Sequence, residues 1–419
     1  MTRFNTLEEW LSWQEQLYPQ VIDLGLHRVQ ALLKALDLTQ PGFPILTIGG
    51  TNGKGSSVSF AEAMLRAAGH KVGAYVSPHL LRYNERVRVE GMDVSDAEFC
   101  ESFARIDEAR GDLRVTYFEF GTLAAIDILS RRGISAAVLE VGLGGRLDAV
   151  NALDADVALI SSIGLDHQEW LGDDRESIGR EKAGIFRKGR PAICGDRQPP
   201  DSLGEQAGVV GARLQVLGRD FEREIHGDTW DWSGQAGEFR ALPAPALPGR
   251  IQYDNAAAVI AALQSHPRLA VPESAIRAGL EQARIPARFQ RVGGPIETVY
   301  DVSHNPDAAR VLAGNLLAFP AAGRTFAVMG MFKDKAAEEV TRALQGCFAH
   351  WYLGGLEGPR GQDATSLASR LRSVSPDAAL SEFSSVSAAY VAAKSAARPG
   401  DRIVVFGSFQ TVAAVLKTL

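Results

Sequence analysis

Two apolar patterns alternate along most of this chain. Short runs rich in β-branched residues have the composition of buried strands, and the longer stretches between them space their apolar residues as helices do. Regular alternation of this kind is typical of an α/β protein with a doubly wound, mostly parallel sheet. The strands predicted for the first part are 45–49, 72–77, 136–141, 157–163 and 192–194. The helices predicted there are 58–68, 95–110, 118–132, 177–187, 253–266 and 273–284.

A second alternating series follows residue 286 and predicts a smaller, Rossmann-like α/β domain. Its predicted strands are 298–302, 325–329, 351–353 and 403–406, and its predicted helices are 306–319, 335–348, 366–372, 387–397 and 411–419. Between 197 and 250 the pattern breaks down into Gly, Pro, Trp and charged residues, which predicts a small β-rich insert. The segment 285–295 carries two prolines and a Gly-Gly pair, as linkers do. We therefore predict an N-terminal doubly wound α/β domain (1–287), a linker (288–297) and a C-terminal domain (298–419).

The strand at 45–49 runs directly into a glycine-rich turn with the composition of a phosphate-binding loop. Glycines let several backbone N–H groups converge on an anion, Lys54 adds a positive charge, and the hydroxyl of Ser56 can bind Mg²⁺. The strict P-loop pattern would place glycine at Ile48 and a hydroxyl at Gly55, so the match is partial. The alternative is a glycine turn with a surface lysine. The strand–turn–helix order favours the phosphate loop, so we predict that the N-terminal domain (1–287) is an ATP-binding domain of P-loop type.

Polar residues stand at the ends of three predicted strands. Ser77, Glu140 and His167 all lie where strands end, and ligands of open α/β sheets bind at that edge. Ser and Glu offer the hard oxygen atoms that Mg²⁺ prefers. For Glu140 the alternative is an ordinary ion pair, but a carboxylate that ends an apolar strand is costly to bury without a partner. Taken alone, Ser77 could simply begin a turn and His167 could be polar surface.

The second domain offers candidates at one strand end and in the linker. Asp301 ends a predicted strand, and His304 lies between it and a helix that opens at Asn305. Asn305 has a simpler role as the N-cap of that helix. Arg288 in the linker could reach a triphosphate or could be a solvated charge.

Composition narrows the possible partners. The chain has 419 residues, 46% of them apolar, and a net charge of −6, which argues against non-specific binding to nucleic acid. We find no apolar run near the roughly 20 residues of a membrane helix and no secretory signal. Cys100, Cys194 and Cys347 fit no zinc or disulfide spacing. We predict a cytoplasmic protein that acts on small molecules, with neither nucleic acid nor membrane as partner.

Several longer motifs resemble those of the bacterial bifunctional folylpolyglutamate synthases/dihydrofolate synthases, which belong to the Mur-ligase superfamily. The resemblance covers nearly the whole chain in the same order. Gly55 after the loop lysine is similar to the folate branch, whereas the peptidoglycan ligases usually carry Thr there. The motifs that carry the resemblance are 50–56, 77–79, 82–86, 140–149, 166–167, 181–185, 288–290, 301–306 and 407–409.

The resemblance implies an ATP-dependent ligase that adds L-glutamate to 7,8-dihydropteroate and γ-linked glutamates to reduced folates. The γ-phosphate of ATP would convert the acid to an acyl phosphate, which the amine of glutamate would then attack. Mg²⁺ at two sites, K⁺ as a candidate activating cation, and a monomeric state are implied as well. The implied metal ligands are Ser56, Ser77, Glu140 and His167. The implied ATP-binding residues are Thr51, Asn52, Gly53, Lys54, Gly55, Ser56, Ser57, Asn255, Arg288, Asp301 and His304.

The resemblance also implies catalytic residues and a site for the acid. Lys54, Glu140, His167 and Lys182 would be catalytic, with Lys182 carbamylated, because a plain lysine (pKa about 10.4) would repel Mg²⁺. The alternative for Lys182 is an exposed helix lysine beside an acid. Phe118 could pack on a flat pterin or belong to a helix core. The implied dihydropteroate-binding residues are Asp23, Leu24, Gly25, Leu26, Thr116, Tyr117, Phe118, Glu119, Leu147, Asp148 and Ala149.

Three other functions compete with this one. The nearest is a monofunctional folylpolyglutamate synthase, and turnover of dihydropteroate separates the two. A second is a Mur ligase that acts on a UDP-sugar acid, which Gly55 and the lack of a separate N-terminal UDP-binding domain disfavour. The third is a nucleotide-binding regulatory module, which would bind ATP but release no ADP in response to glutamate.

Overall fold

The computed structural model describes residues 3–18 and 23–418. Contacts between residues divide this part of the chain into two compact units. The first unit contains residues up to 246 together with 252–284, and the second contains 247–251 and the residues from 285 onward. The segment 288–297, which we predicted as a linker, lies in the second unit and contributes a strand to its sheet.

The helices and strands of the first unit follow the predicted alternation. Its helices are α1 (Leu7–Leu17), α2 (His27–Ala35), α3 (Lys54–Ala67), α4 (Asp96–Arg110), α5 (Tyr117–Arg131), α6 (Gln168–Leu171), α7 (Arg175–Lys182), α8 (Asp201–Val210), α9 (Ile251–Gln264) and α10 (Glu273–Gln282). Its strands are β1 (Ile45–Gly49), β2 (Val72–Tyr75), β3 (Val87–Val89), β4 (Met92–Asp93), β5 (Ala136–Glu140), β6 (Val157–Ile160), β7 (Pro191–Cys194), β8 (Arg213–Val216), β9 (Glu222–His226), β10 (Thr229–Gly234) and β11 (Gly237–Pro243).

The main sheet of the first unit has the strand order β4-β3-β2-β5-β1-β6-β7-β8 in the described residues. All neighbours are parallel except the pairs formed by β3 and β4 at one edge. Strand β5 is buried along its whole length, as its apolar sequence predicts for a central parallel strand. The β1 strand lies between β5 and β6, so the turn after β1 opens at the carboxyl edge of the sheet beside both of them.

The insert is only partly the β-rich excursion that we predicted. Strands β9, β10 and β11 form a separate antiparallel sheet, but β8 joins the edge of the main sheet and α8 is a regular helix. Gly204 and Gly208 within α8 weaken its helical pattern, which is why its sequence did not reveal it. Helices α1 and α2 near the N-terminus were not predicted either.

Helices α4 and α5 begin with the same N-terminal capping motif. Ser95 caps α4 and Thr116 caps α5, and each accepts a hydrogen bond from the backbone N–H of a glutamate three residues later. Each glutamate reaches back to the backbone of its cap, which completes a capping box. The box at Ser95 and Glu98 confirms the sequence prediction. The box at Thr116 places the first turn of α5 at the candidate site described below.

Aromatic residues fill the core on one face of this sheet. Trp10 of α1, Phe103 of α4 and Phe120 of α5 are fully buried, and Phe103 and Phe120 meet edge to face at 5.4 Å between ring centroids. These contacts hold the N-terminal helices against α4 and α5.

The second unit is a smaller sheet covered by helices, which agrees with the predicted Rossmann-like domain. The strand order is β12-β13-β17-β14-β15-β16 in the described residues, parallel except for the pair of β12 with β13. Its helices are α11 (Pro306–Ala318), α12 (Ala337–Ala343), α13 (Ala364–Val374), α14 (Val386–Ala396) and α15 (Phe409–Leu416). Its strands are β12 (Gln290–Val292), β13 (Glu297–Tyr300), β14 (Thr325–Met329), β15 (His350–Gly354), β16 (Leu380–Phe383) and β17 (Arg402–Phe406).

No helix in the described ranges combines the length and the apolar character that crossing a bilayer requires.

Candidate active site

The turn after β1 has the backbone of an anion-binding loop. Gly53 is the N-cap of α3 and has φ of 88°, and Gly50 has φ of 141°. A Cβ atom on Gly50 would lie 2.0 Å from the hydroxyl of Ser161, and one on Gly53 would lie 2.6 Å from the side-chain oxygen of Asn255. Both positions therefore require glycine for conformation and for space. The first N–H groups of α3 point into the loop, where the helix dipole favours negative charge.

Lys54 folds back over this loop. Its Nζ donates to the carbonyl oxygens of Gly50 at 3.0 Å and Thr51 at 3.3 Å. A lysine held across its own turn presents a fixed positive charge to an anion bound there. Ser56 and Ser57 follow in the first turns of α3, and both are buried. The hydroxyl of Ser57 has no hydrogen-bond partner among the described residues.

The end of β6 braces the loop from the other side. The hydroxyls of Ser161 and Ser162 donate to the carbonyl oxygen of Asn52 at 2.6 and 3.0 Å. The backbone carbonyl oxygen of Ser162 accepts from the N–H of Thr51 at 2.7 Å. Sequence reasoning missed this Ser-Ser pair. The signal was available, because two hydroxyls ending a buried strand next to a glycine turn fit a role in loop support. Asn255 of α9, which we predicted as an ATP ligand, touches the same loop at Gly53.

Two of the predicted metal ligands meet at the strand ends. Glu140 ends β5 and is 5% exposed, and its Oε2 accepts a hydrogen bond from the N–H of Ser77 at 3.3 Å. His167 begins α6 with φ of 53° and lies beside Asp166. In residues 3–18 and 23–418 no three His, Cys, Asp or Glu side chains group closely enough to hold a metal. A divalent cation here would take its oxygen ligands from Ser56, Ser77 and Glu140, with phosphate oxygens completing the shell.

A cavity of about 240 Å³ opens beside these strand ends. It brings together segments from six parts of the sequence, including most of the residues that the resemblance implied for dihydropteroate. Ser77 and His167 line the same cavity, so candidate metal ligands and candidate acid-binding residues share one space. Leu26 and Tyr117 do not line it. The lining residues are Asp23, Leu24, Gly25, Ser77, Pro78, Arg86, Thr116, Phe118, Glu119, Gly142, Leu143, Leu147, Asp148, Ala149 and His167.

Asp148 is the buried acid of this cavity. Its two carboxylate oxygens accept the backbone N–H groups of Leu143 at 2.8 Å and Val150 at 3.0 Å. Burial raises the pKa of Asp148 to about 6, against the opposing effect of these hydrogen bonds and of the charge on Lys54. Near neutral pH the group is an ionised acceptor that faces the cavity and suits a ligand rich in N–H donors.

A second pair of acids lies at the other side of the cavity, held by one arginine. The Nε of Arg28 donates to both oxygens of Glu119 at 2.9 and 3.1 Å, and its Nη1 donates to Asp23 at 2.8 Å. Burial is the largest influence on Glu119 and raises its pKa, which the charge of Arg28 partly offsets. Asp23 also accepts a hydrogen bond from Tyr18. Arg28 was missed by sequence reasoning, although a charged residue on the inner face of a short helix is a usable signal.

Lys182 is buried, so its alternative reading as an exposed helix lysine is wrong. The side chain is 3% exposed at the end of α7, where the turn at Gly145 comes so close that a Cβ there would lie 2.9 Å from the carbonyl oxygen of Lys182. Burial, followed by the charge of Lys54, lowers the pKa of Lys182 to about 7. An appreciable fraction of this amine is therefore neutral and nucleophilic at physiological pH.

Three predicted ATP-binding residues lie in the second unit. Asp301 is 6% exposed and accepts the backbone N–H groups of Phe289 and Ser303, each at 2.8 Å. Arg288 stands between Ala287 and Phe289, which have φ of 57° and 46°. Positive φ at two non-glycine residues is strained, and Asp301 helps to hold that conformation. His304 lies nearby, with its Nδ1 2.9 Å from the carbonyl oxygen of Val302.

Comparison with known proteins identifies the family to which this chain belongs. Residues 48–263 match the Mur ligase middle domain, and residues 287–409 match the Mur ligase glutamate ligase domain. The chain is 44% identical to the dihydrofolate synthase/folylpolyglutamate synthase of Escherichia coli K12, over 99% of this chain and 95% of that protein. This chain belongs to the dihydrofolate synthase/folylpolyglutamate synthase family.

Solved structures of the family have the same fold. Escherichia coli FolC in complex with DHPP and ADP superposes with a TM-score of 0.94 at 44% identity, covering 99% of this chain and 97% of that one. A bifunctional folylpolyglutamate synthase/dihydrofolate synthase with Mn, AMPPNP and L-glutamate bound has a TM-score of 0.91 at 43% identity, covering 100% of this chain and 99% of that one. Membership confirms the resemblance that the motifs indicated, while the roles of individual site residues stay predictions.

Proposed function

We propose that this chain is an ATP-dependent ligase that joins L-glutamate to 7,8-dihydropteroate and adds γ-linked glutamates to reduced folates. The family's amide-forming activity and the ligands of its solved members support this function. Within the molecule, the observation that carries the proposal is the shared cavity. Candidate acid-binding side chains and the strand-end residues Ser77 and His167 line one space in the same unit as the phosphate loop.

The residues around the loop would position and neutralise the triphosphate. Gly53 and the N–H groups that open α3 would hold phosphate oxygens, and Lys54 would offset their charge. A divalent cation, bound by Ser56, Ser77, Glu140 and His167, would supply further neutralisation of the transferring phosphoryl group.

The cavity would hold the acid with its carboxylate towards the strand ends. Asp23, Glu119 and Asp148 provide acceptors for pterin N–H groups, and Phe118 provides an aromatic face. The carboxylate oxygen then attacks the γ-phosphorus and ADP leaves. The amine of glutamate attacks the resulting acyl carbon, phosphate leaves with the former acyl oxygen, and the amine gives up a proton. Alignment of the two reactants is the main contribution of the site.

Lys182 is proposed to carry a carbamate. Its lowered pKa of about 7 leaves a neutral amine able to attack CO₂, and the product is an anion that no longer repels the cation site. The test is ¹³C NMR of protein equilibrated with ¹³C-bicarbonate, with Lys182→Arg as control. A carbamate signal in the wild type that is absent from the control supports the proposal, and identical spectra contradict it.

The remaining assignments concern ATP binding, oligomeric state, localisation and a monovalent cation. Arg288, Asp301 and His304 are proposed as ATP-binding residues, and Arg288 lies between two residues with positive φ. We propose a monomer in the cytoplasm that uses neither nucleic acid nor membrane as partner, which suits the net charge of −6. K⁺ is retained as a candidate activating cation.

The decisive experiment measures ADP release in the presence of ATP and Mg²⁺ with one acid at a time: 7,8-dihydropteroate, tetrahydrofolate or a UDP-muramoyl acid. The first two acids should give release that depends on L-glutamate, and mass spectrometry should find the acid extended by one glutamyl residue. Release with tetrahydrofolate alone would indicate the monofunctional enzyme. Release only with the UDP-muramoyl acid, or none with any acid, would contradict the proposal.

A further inference from the structure

Arg86 is a buried cation that lines the cavity and has no role in the function as described so far. It is 8% exposed and lies at the end of the short helical turn that precedes β3. Its backbone carbonyl oxygen accepts the N–H of Val76 at 2.9 Å. Arg86 is therefore anchored opposite the residue before Ser77, at the carboxyl edge of the main sheet.

The partners of Arg86 differ from those of the other buried arginines. Within residues 3–18 and 23–418 the buried arginines are Arg28, Arg86 and Arg402. Arg28 pairs with Glu119 and Asp23, and Arg402 pairs with Glu297. In the described part of the chain no acidic side chain forms an ion pair with Arg86. A buried guanidinium normally requires such a counter-charge, because desolvating it alone is costly.

Neutral aromatic groups surround Arg86 instead. Its Nε donates to the Nδ1 of His79 at 2.9 Å, and its guanidinium carbon lies 5.0 Å from the ring centroid of Tyr83 and 5.6 Å from that of Tyr117. These rings stabilise and orient the cation without neutralising it. Its Nη donors keep the planar geometry that suits two carboxylate oxygens.

The acids of the cavity are engaged elsewhere. Glu119 is paired with Arg28, and Asp148 is bonded to the backbone of residues 143 and 150. Together with Asp23, which also pairs with Arg28, these carboxylates would repel the anionic end of a substrate and attract its N–H-rich end. The anionic end is thus directed to the wall formed by Arg86, whose charge no acidic side chain in the described residues neutralises.

We infer that Arg86 is a substrate-binding residue that pairs with the benzoate carboxylate of dihydropteroate. This inference rests on the proposed function and deepens it, since it names the group that holds the reacting end of the acid. A guanidinium at this point would keep the carboxylate ionised and steer it towards Ser77 and the strand ends before phosphoryl transfer.

The test compares two ligands that differ only in charge, 7,8-dihydropteroate and its carboxamide, by titration calorimetry with ADP and Mg²⁺ present. The wild type should bind the acid about 10- to 100-fold more tightly than the amide, the effect of one hydrogen-bonded ion pair. Arg86→Met should lose most of that ratio while its affinity for the amide stays within about threefold. Arg86→Lys, which keeps the charge but not the fork, should retain part of the ratio.

Arg88→Met is the matched control. Arg88 lies two residues further on and pairs with Glu62 at 2.6 Å, and it does not line the cavity. Its loss should lower the stability without changing the ratio of acid to amide binding. If Arg86→Met fails to fold, the wild-type ratio and Arg86→Lys still decide the question.

Three outcomes would overturn the inference. The first is equal affinity of the wild type for acid and amide. The second is an unchanged acid-to-amide affinity ratio in Arg86→Met, and the third is an equal loss of affinity for both ligands in that variant. The last would place Arg86 at the pterin or in a purely structural role. If the wild type binds neither ligand, the proposed function fails instead.

Discussion

The phosphate loop and the acid cavity occupy the same edge of one sheet but are built in different ways. The loop is made from contiguous residues 49–57, and the groups that we propose to bind phosphate are mostly backbone N–H donors. The cavity is made from side chains of six separate segments, and its polar groups are held by other side chains or by distant backbone. One site is specified by local sequence and the other by packing.

This difference predicts different responses to mutation. A loop built from backbone depends on glycines whose replacement moves the chain itself. A cavity built from side chains depends on buried networks, such as the pairing of Arg28 with Asp23 and Glu119, in which removal of one member leaves another charge unpaired. Mutations in the loop should therefore weaken nucleotide binding, and mutations in the cavity should weaken binding of the acid.

Lys54→Ala should have the largest effect. Loss of the charge held over Gly50 and Thr51 should lower kcat for ADP release about 100- to 1,000-fold. Binding of dihydropteroate measured by calorimetry should change little, because Lys54 does not line the cavity. Lys34→Ala, which removes an exposed lysine of α2, is the control and should retain full activity. A comparable loss of acid binding in Lys54→Ala would show that the two sites are not separable.

Gly53→Ala should come next and tests the backbone directly. The new Cβ would lie 2.6 Å from Asn255 at a φ of 88°, so the loop must shift. We expect about tenfold weaker ATP binding, the effect of one misplaced hydrogen bond to an anion. Gly69→Ala is a close control, because Gly69 also has φ of 88° and nothing within 4 Å of its Cβ position. Both variants should lose about 1 kcal/mol of stability from backbone strain. Only Gly53→Ala should lose affinity for ATP. Equal affinities would mean that space at Gly53 is unimportant.

The affinity of the cavity for dihydropteroate should depend on pH through Asp148. The pKa of Asp148 is raised to about 6, so the group is ionised above that pH and protonated below it. A protonated Asp148 has lost its charge and presents an O–H donor, so it is a poorer partner for pterin N–H groups, and affinity should fall as pH drops through 6, by about tenfold at pH 5. Asp148→Asn should bind weakly at every pH without this dependence. A wild-type affinity that is constant from pH 7.5 to pH 5 would rule out the role of Asp148.

The smallest expected effect comes from removing a helix cap, and it distinguishes a purely structural role of the cap from a role in binding dihydropteroate. Thr116 and Ser95 both cap helices through the same box, but only Thr116 lines the cavity. Thr116→Ala and Ser95→Ala should each lower the free energy of unfolding by about 1 kcal/mol in urea titrations. Thr116→Ala alone should raise KM for dihydropteroate, by about three- to tenfold, because the backbone N–H of Glu119 loses its bond to the Thr116 hydroxyl at the cavity wall. If the two variants have the same KM, Thr116 has a structural role only.

The difference between a site built from local sequence and one built by packing also explains how much of the site the sequence predicted. The loop at Gly50–Ser57, the strand-end position of Glu140 and the capping box of Ser95 could all be predicted, because each is a local pattern with a known backbone consequence. Thr116, Phe118 and Asp148 were implied only by resemblance to a family. Arg28, Arg86, Ser161 and Ser162 were not predicted to line or brace a site, since their partners are far away in the sequence.

By itself, then, the sequence determined the α/β alternation of most central strands and helices and the glycine-rich turn after β1, since these depend on periodicity, glycine conformation and helix ends within a few residues. It could not show that Lys182 is buried, that β8 extends the main sheet, or that Arg86 faces the cavity without an acidic partner among the described residues. Those properties depend on which residues become neighbours when strands pair across long separations. Burial and the charges nearby then set the pKa of each group, so only the tertiary structure decides them.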